Sequence, residues 1–397
     1  MSMKKLSKKM LAVVAAGAMT MGLAMPAFAA DASGETQKVT QAYISKTYNT
    51  EVGKAMTFNF TATQDKTSTG LVKSAVACTI PSISFTDSET GTTKKVSDSP
   101  IQFGTFNEAG KYEYTVTETG SEPTITESAY EKLIMSKAEY KMDVYVVENP
   151  VGTFKVDQIV VNKTKNDKGT AEEGKVDISE DKTKNKFNFV NTYVQEAGTG
   201  EKPDPNKPDP DYKTNGALNV SKKVIQNVTD AEKSLPTEKF DFTAKFEFPA
   251  GTDAKTLGGV KDKDGKDVTL DATGQCTFQL GNGENMKFTG LPVGTTITVT
   301  EAAKANYKGS AAVVINNVTK KSVAATKFNE DIKVWDEDAN AGYKLGQTKN
   351  TVDVTNKFNN VPTTGIIMNT LPYVLMVALC AVALFGFVAF KRKKVQK

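Results

Sequence analysis

The sequence predicts an all-β protein made of two tandem β-sandwich domains. Three features point there: a hydrophobic period of two along most of the chain, one proline-dense break near its middle, and a matching order of lysine, glutamate and asparagine on either side of that break.

The period of two is plain in six segments. Thr57-Phe58-Asn59-Phe60-Thr61, Tyr112-Glu113-Tyr114-Thr115-Val116-Thr117 and Lys141-Met142-Asp143-Val144-Tyr145-Val146 alternate apolar with polar side chains. Phe240-Asp241-Phe242-Thr243, Ile297-Thr298-Val299-Thr300 and Val352-Asp353-Val354-Thr355 do the same. Successive side chains of a strand point to opposite faces, so each segment has one dry and one wet face, which suits antiparallel sheets packed in pairs. Residues 129–138 alone offer a helical alternative. Asp262-Lys263-Asp264-Gly265-Lys266-Asp267 resembles part of a calcium loop but lacks the downstream glutamate, so a hairpin turn is expected and no metal is assigned.

The break covers residues 196–215 and includes Lys202-Pro203-Asp204-Pro205-Asn206-Lys207-Pro208-Asp209-Pro210-Asp211. Proline at this density favours polyproline II and is excluded from central strands, so a semi-rigid spacer is expected. It divides the chain into residues 31–195 and 216–360, each near the size of one domain.

The two parts carry the same order of signals. A lysine sits in an early strand, Lys46 in Tyr43-Ile44-Ser45-Lys46-Thr47 and Lys222 in Leu218-Asn219-Val220-Ser221-Lys222-Lys223-Val224. A later strand ends in glutamate, Glu118 or Glu301, and the closing strand carries Asn191 or Asn356. Lysine to glutamate spans 72 and 79 positions, and lysine to asparagine 145 and 134. Alternation places Lys222 rather than Lys223 on the face of Leu218 and Val220.

Both ends read as processing signals. Lys4, Lys5, Lys8 and Lys9, a mainly apolar stretch from Met10 to Ala24, and Ala27-Phe28-Ala29 form the three parts of a secretory signal peptide, residues 1–29. Near the other end, Val361-Pro362-Thr363-Thr364-Gly365 precedes residues 366–390, in which Leu371 to Phe390 is uncharged and long enough to cross a bilayer. The basic tail, residues 391–397, begins Lys391-Arg392-Lys393-Lys394 and is expected on the cytoplasmic side.

Composition narrows the function. The chain has 397 residues and no histidine, so the commonest general base and metal ligand is missing. No nucleophile–base constellation stands out, and neither a turnover enzyme nor a cofactor is expected. The formal charge is +4, but the two processed ends hold nine basic and no acidic residues, leaving −5 between them. Nucleic acid is therefore not an expected partner. Cys78 and Cys276 lie in different predicted domains and Cys380 in the apolar segment, so there is no disulfide framework to brace an exported protein.

The C-terminal order resembles the sortase sorting signal, usually L-P-x-T-G, with Val361 in place of leucine. That resemblance implies cleavage between Thr364 and Gly365, a thioester on the Thr364 carbonyl, and resolution by an amine. Gly110-Lys111-Tyr112-Glu113-Tyr114-Thr115-Val116-Thr117-Glu118 and the closing Phe187-Asn188-Phe189-Val190-Asn191-Thr192-Tyr193 resemble the streptococcal pilin isopeptide-linkage domain. The second part resembles the Ig-like domain beside it in backbone pilins of the T-antigen type. The resemblance implies a Lys–Asn isopeptide bond in each domain, assisted by glutamate: Lys46, Glu118 and Asn191, then Lys222, Glu301 and Asn356. Burial is expected to neutralise the amine and to protonate the carboxyl, which can then hydrogen-bond the asparagine amide and polarise its carbonyl.

The function so implied is a backbone pilin subunit, secreted and attached covalently to the cell wall or pilus, with a monomeric wall-anchored adhesin or accessory pilin as the alternative. Its partners would be a sortase, neighbouring pilin subunits, peptidoglycan and a host surface. In T-antigen-type pilins the acceptor lysine precedes the last strand of the first domain. Lys182, Lys184 and Lys186 occupy that region here, and Lys184 is the first choice.

Overall fold

The computed structural model describes residues 38–226 and 237–358. The signal peptide, the Val361–Gly365 motif, the apolar segment with Cys380 and the basic tail lie outside the described residues. Among the described residues, no helix is long and apolar enough to cross a membrane.

The first part contains β1 (Ser45–Thr50), β2 (Met56–Asp65), β3 (Cys78–Thr79), β4 (Ile83–Phe85), β5 (Gly91–Val96), β6 (Gln102–Phe103) and β7 (Gly110–Glu122). It continues with β8 (Glu131–Ile134), β9 (Glu139–Asn149), β10 (Thr153–Lys165), β11 (Ala171–Val176) and β12 (Asn188–Gln195). After the short helix α1 (Pro210–Asn215) come β13 (Leu218–Gln226), β14 (Phe240–Glu247), β15 (Gln275–Leu280), β16 (Asn285–Phe288), β17 (Thr296–Glu301) and β18 (Tyr307–Ile315). The last are β19 (Val318–Thr319), β20 (Val323–Ala324), β21 (Ile332–Val334), β22 (Tyr343–Lys344) and β23 (Thr351–Phe358).

Each part has two main sheets. In the first, β5-β1-β12-β8 faces β11-β10-β9-β7-β2-β4. In the second, β16-β13-β23-β18-β19 faces β15-β14-β17-β21. Aromatic pairs join the facing sheets: Phe60 to Phe189 with ring centres 5.2 Å apart, and Phe240 to Tyr307 at 4.8 Å. The alternation is followed closely, since β14 buries Phe240, Phe242, Ala244 and Phe246 and turns the intervening residues outward.

One pairing departs from the antiparallel expectation in the same way twice. The first and last strands of each part run parallel, β1 beside β12 and β13 beside β23. Parallel neighbours need a long crossover, which here is the rest of the sandwich.

Two further expectations are revised. Residues 129–138 are not helical: β8 pairs with β12, Tyr193 opposite Leu133, and this edge pairing overrides the helical pattern. Residues 196–215 are not a free polyproline spacer. Ala197, Gly198 and Gly200 N–H groups donate to the carbonyls of Leu291, Gly346 and Gln347. Asp209 caps α1, with Pro210 in its first turn, and Gly216 ends it at a φ of 64°. Tyr212 from α1 packs its ring edge on Tyr130, centres 5.0 Å apart, and donates its hydroxyl to Glu196 Oε1 at 2.8 Å. The aromatic anchor and the backbone bonds outweigh the extended preference of the prolines.

The calcium-like segment is a turn in which Asp262 Oδ1 accepts the Asp264 and Lys266 N–H groups at 2.9 and 3.0 Å. Among the described residues, no three His, Cys, Asp or Glu side chains gather as a metal site. Cys78 and Cys276 are free thiols.

Candidate functional site

Parallel pairing sets the geometry of the two clusters. Asn191 on β12 lies opposite Tyr48 on β1, and Lys46 is two residues before Tyr48, on the same face. Asn356 on β23 lies opposite Val224 on β13, and Lys222 is two residues before Val224. The lysine–asparagine offset is identical in the two parts. Glutamate reaches in from the facing sheet: Glu118 on β7 opposite Phe60 of β2, and Glu301 on β17 opposite Phe242 of β14. One lysine and one asparagine on adjacent strands thus meet a glutamate across the core.

In the first cluster, Lys46 Nζ lies 2.6 Å from Glu118 Oε1, and neither side chain is exposed. Asn191 Nδ2 donates to the same oxygen at 2.9 Å, leaving Glu118 Oε2 buried without a hydrogen-bond partner among the described residues. Phe58 packs beneath the amine, 4.5 Å from ring centre to Nζ. In the second cluster, Lys222 Nζ lies 2.6 Å from Glu301 Oε2, while Asn356 Nδ2 donates to Glu301 Oε1. Phe240 lies 3.9 Å from Lys222 Nζ. Lys222 is buried and Lys223 exposed.

The electrostatics follow from burial. Desolvation pulls the Lys46 amine down to about 8 against the attraction of Glu118, and Lys222 likewise to about 8 against Glu301. Desolvation pushes the carboxyls of Glu118 and Glu301 up, opposed by those same lysines. Each pair is thereby drawn towards a neutral amine beside a neutral acid.

Glutamate contacts the asparagine amide through the amide nitrogen in both clusters, not through the carbonyl. The carboxyl therefore stands between the amine and the amide nitrogen, where it can carry a proton from one to the other. The carbonyl oxygens have other surroundings. Asn191 Oδ1 accepts the Ser136 N–H at 2.6 Å, and Asn356 Oδ1 is buried without a hydrogen-bond partner among the described residues. Sequence reading missed Ser136, because a backbone N–H leaves no signature in residue type.

The three candidate acceptor lysines lie apart from the clusters, around a short 3-10 turn at Lys182–Lys184. Lys182 Nζ donates to the Asp98 carbonyl at 2.6 Å and Lys186 pairs with Asp177 at 2.9 Å. The Lys184 side chain is 76% exposed, with Asp181 at 3.5 Å.

Residues 216–332 match the model of a domain of unknown function, DUF7601. No curated protein matches the chain. Among solved structures, the chain is similar to the major pilin of Streptococcus pyogenes, at 19% identity and a TM-score of 0.31, covering 81% of this chain and 100% of that one. It is similar to the T3.2 major pilin of the same organism, at 19% identity and a TM-score of 0.27, covering 81% of this chain and 99% of that one. It is also similar to a pilus-presented adhesin, at 11% identity and a TM-score of 0.23, covering 81% of this chain and 100% of that one.

Proposed function

We propose that this chain is a structural subunit of a sortase-assembled pilus, whose two domains, residues 31–195 and 216–360, each close on a Lys–Asn isopeptide bond. The observation that carries the reading is the same buried lysine–glutamate–asparagine cluster built twice at the same strand register. A solvated surface triad would have no reason to repeat its offset.

The chemistry balances without a cofactor. The neutral amine of Lys46 or Lys222 attacks Cγ of Asn191 or Asn356, forming the Nζ–Cγ bond. The Cγ–Nδ2 bond breaks. The proton lost by Nζ reaches Nδ2 through Glu118 or Glu301, and ammonia leaves. Neither glutamate is consumed, and the reaction runs once per domain. Joining the first strand to the last means that pulling on the termini loads the amide rather than the sheet, which suits a subunit of a load-bearing fibre.

Assembly rests on the two ends. The signal peptide, residues 1–29, exports the chain. The segment 366–390 holds the precursor in the plasma membrane while a sortase cuts between Thr364 and Gly365 of Val361-Pro362-Thr363-Thr364-Gly365. Lys184 of the next subunit resolves the thioester, and peptidoglycan takes the last one. The segment 196–215 joins the two domains as a docked strut. The test is an immunoblot of a cell-wall digest: a ladder of rising mass supports the polymer, and one band supports a monomeric wall-anchored adhesin instead.

A further inference from the structure

The two clusters differ at the asparagine carbonyl, where a condensation must place negative charge. Attack on Cγ turns the carbonyl oxygen into an oxyanion until Nδ2 departs, and a donor already aimed at that oxygen lowers the barrier. Asn191 Oδ1 has such a donor in the Ser136 N–H at 2.6 Å, and Asn356 Oδ1 has none among the described residues.

The donor is held from two sides. Ser136 Oγ donates to Asp167 Oδ1 at 2.7 Å, and the Val190 N–H donates to the same oxygen at 2.8 Å. The Lys137 N–H donates to the Asp167 carbonyl at 3.0 Å. Asp167, in the turn between β10 and β11, therefore ties the strand end carrying the donor to the residue just before Asn191. The absence of helix at residues 135–138, just after β8, matters here, since a helix over the same residues would spend the Ser136 N–H on a backbone carbonyl.

We infer that the Ser136 N–H is the oxyanion donor for the Lys46–Asn191 condensation and that Asp167 is the residue that positions it. The inference rests on the isopeptide reading above. It makes the two domains unequal: the first has a preset donor, while the second has none among the described residues.

The test follows both linked peptides over time in the full chain, made by cell-free synthesis in detergent micelles, digested and quantified by mass spectrometry. Absence of both linked peptides from the wild type would sink the isopeptide reading itself. With both present, Asp167→Ala is expected to slow the Lys46–Asn191 link on the order of a hundredfold, the effect of losing one oxyanion donor. The Lys222–Asn356 link serves as the internal control and is expected to form at its usual rate. Asp167→Asn keeps an oxygen that accepts both hydrogen bonds, so it is expected to restore the first link although the charge is gone. Replacing Ser136 by its α-hydroxy analogue exchanges the N–H for oxygen with the side chain intact, and is expected to slow the first link as Asp167→Ala does. A first link formed at the wild-type rate in the α-hydroxy protein overturns the donor role. Equal loss in Asp167→Asn and Asp167→Ala overturns the positioning role.

Discussion

Lys46 and Asn191 converge on a single oxygen of Glu118, the amine at 2.6 Å and the amide nitrogen at 2.9 Å. Lys222 and Asn356 instead take different oxygens of Glu301. Either way, one carboxyl touches both the lysine amine and the asparagine amide nitrogen. A buried ion pair gains little net stability once desolvation is counted. The proposed conversion into a neutral amide would remove both charges from the core.

The first prediction is a mass. On the isopeptide reading, a purified protein of residues 31–360 is expected to weigh less than its sequence by two ammonias. Glu118→Ala restores one and Glu301→Ala the other, because each carboxyl serves its own sheet pair. Each link closes a loop of more than a hundred residues, for which the chain-entropy model of a cross-link gives about 5 kcal/mol. Each variant is therefore expected to melt lower and to be cut faster by trypsin within its own domain. Full unmodified mass in the wild type is the result that counts against the bonds.

The second prediction concerns pH. The reactive pair, neutral lysine beside protonated glutamate, holds one proton, as does the ion pair with which it exchanges. The rate of linking is therefore expected to be flat between the two pKa values. It falls above about 8, where Lys46 or Lys222 loses the shared proton. It falls again below the raised pKa of Glu118 or Glu301, where a second proton holds the amine charged. A rate that keeps climbing from pH 8 to 10, measured from the linked peptides during synthesis, would contradict the glutamate relay.

Much of this site was legible in the sequence for a simple reason. A period of two fixes which side of a strand a residue occupies, so Lys222 could be separated from Lys223 before any contact was known. The parallel closure of each part was not legible, because alternation is the same in parallel and antiparallel strands. Ser136 and Asp167 were invisible because their roles depend on a backbone N–H and on a turn brought close by three separate strands. The docking of residues 196–215 was hidden by their composition: the prolines argue for an extended chain, and it takes the tertiary contact of Tyr212 with Tyr130 and Glu196, with the backbone bonds of Ala197, Gly198 and Gly200, to show otherwise.

The third prediction addresses the close packing behind Asn356. Gly309 lies opposite it on β18, and a Cβ there would come within 2.5 Å of Ile332 Cγ1 and 2.9 Å of Asn356 Oδ1. Gly309→Ala is expected to displace Asn356 from Lys222 and to cost about 1–3 kcal/mol by overpacking. The Lys222–Asn356 peptide should be depleted while the Lys46–Asn191 peptide stays intact. Normal yields of both would show that Ile332 yields instead.

The fourth prediction is a pH dependence at the junction between the parts. Glu196 is buried, accepting from the Gly290 N–H at 2.5 Å and from the Tyr212 hydroxyl at 2.8 Å, and desolvation raises its pKa from 4.5 to about 7. An acid raised by docking binds its proton more tightly docked than free, so its contribution is fully present below pH 4.5 and lost as pH rises through about 7. Glu196→Gln is expected to flatten this dependence and to protect residues 196–215 from protease above pH 7. An unchanged pH profile of cleavage in that segment would mean that Glu196 does not govern docking.

The last prediction concerns polymerisation, and it separates three neighbouring lysines. The acceptor must offer its amine to a thioester held on another protein, so it needs reach and freedom. Lys182 is bound to the Asp98 carbonyl and lies over the Tyr43 ring, 4.9 Å from Nζ to its centre. Lys186 is exposed but paired with Asp177 at 2.9 Å. Lys184 is 76% exposed, and its contact with Asp181 is the looser one at 3.5 Å. Exposed ion pairs of this kind contribute little, so removing either side chain should leave the fold unchanged. Lys184→Ala is expected to keep both linked peptides and wall attachment, and to collapse the immunoblot ladder to one band. Lys182→Ala and Lys186→Ala are expected to keep the ladder. On the sorting-signal reading, Thr364→Ala removes the residue whose carbonyl would form the thioester, so it is expected to leave the protein in the membrane fraction or medium. A ladder that persists in Lys184→Ala but fails in Lys182→Ala or Lys186→Ala would move the acceptor to that residue. A ladder unchanged in all three, but lost in Thr364→Ala, would place it outside this turn.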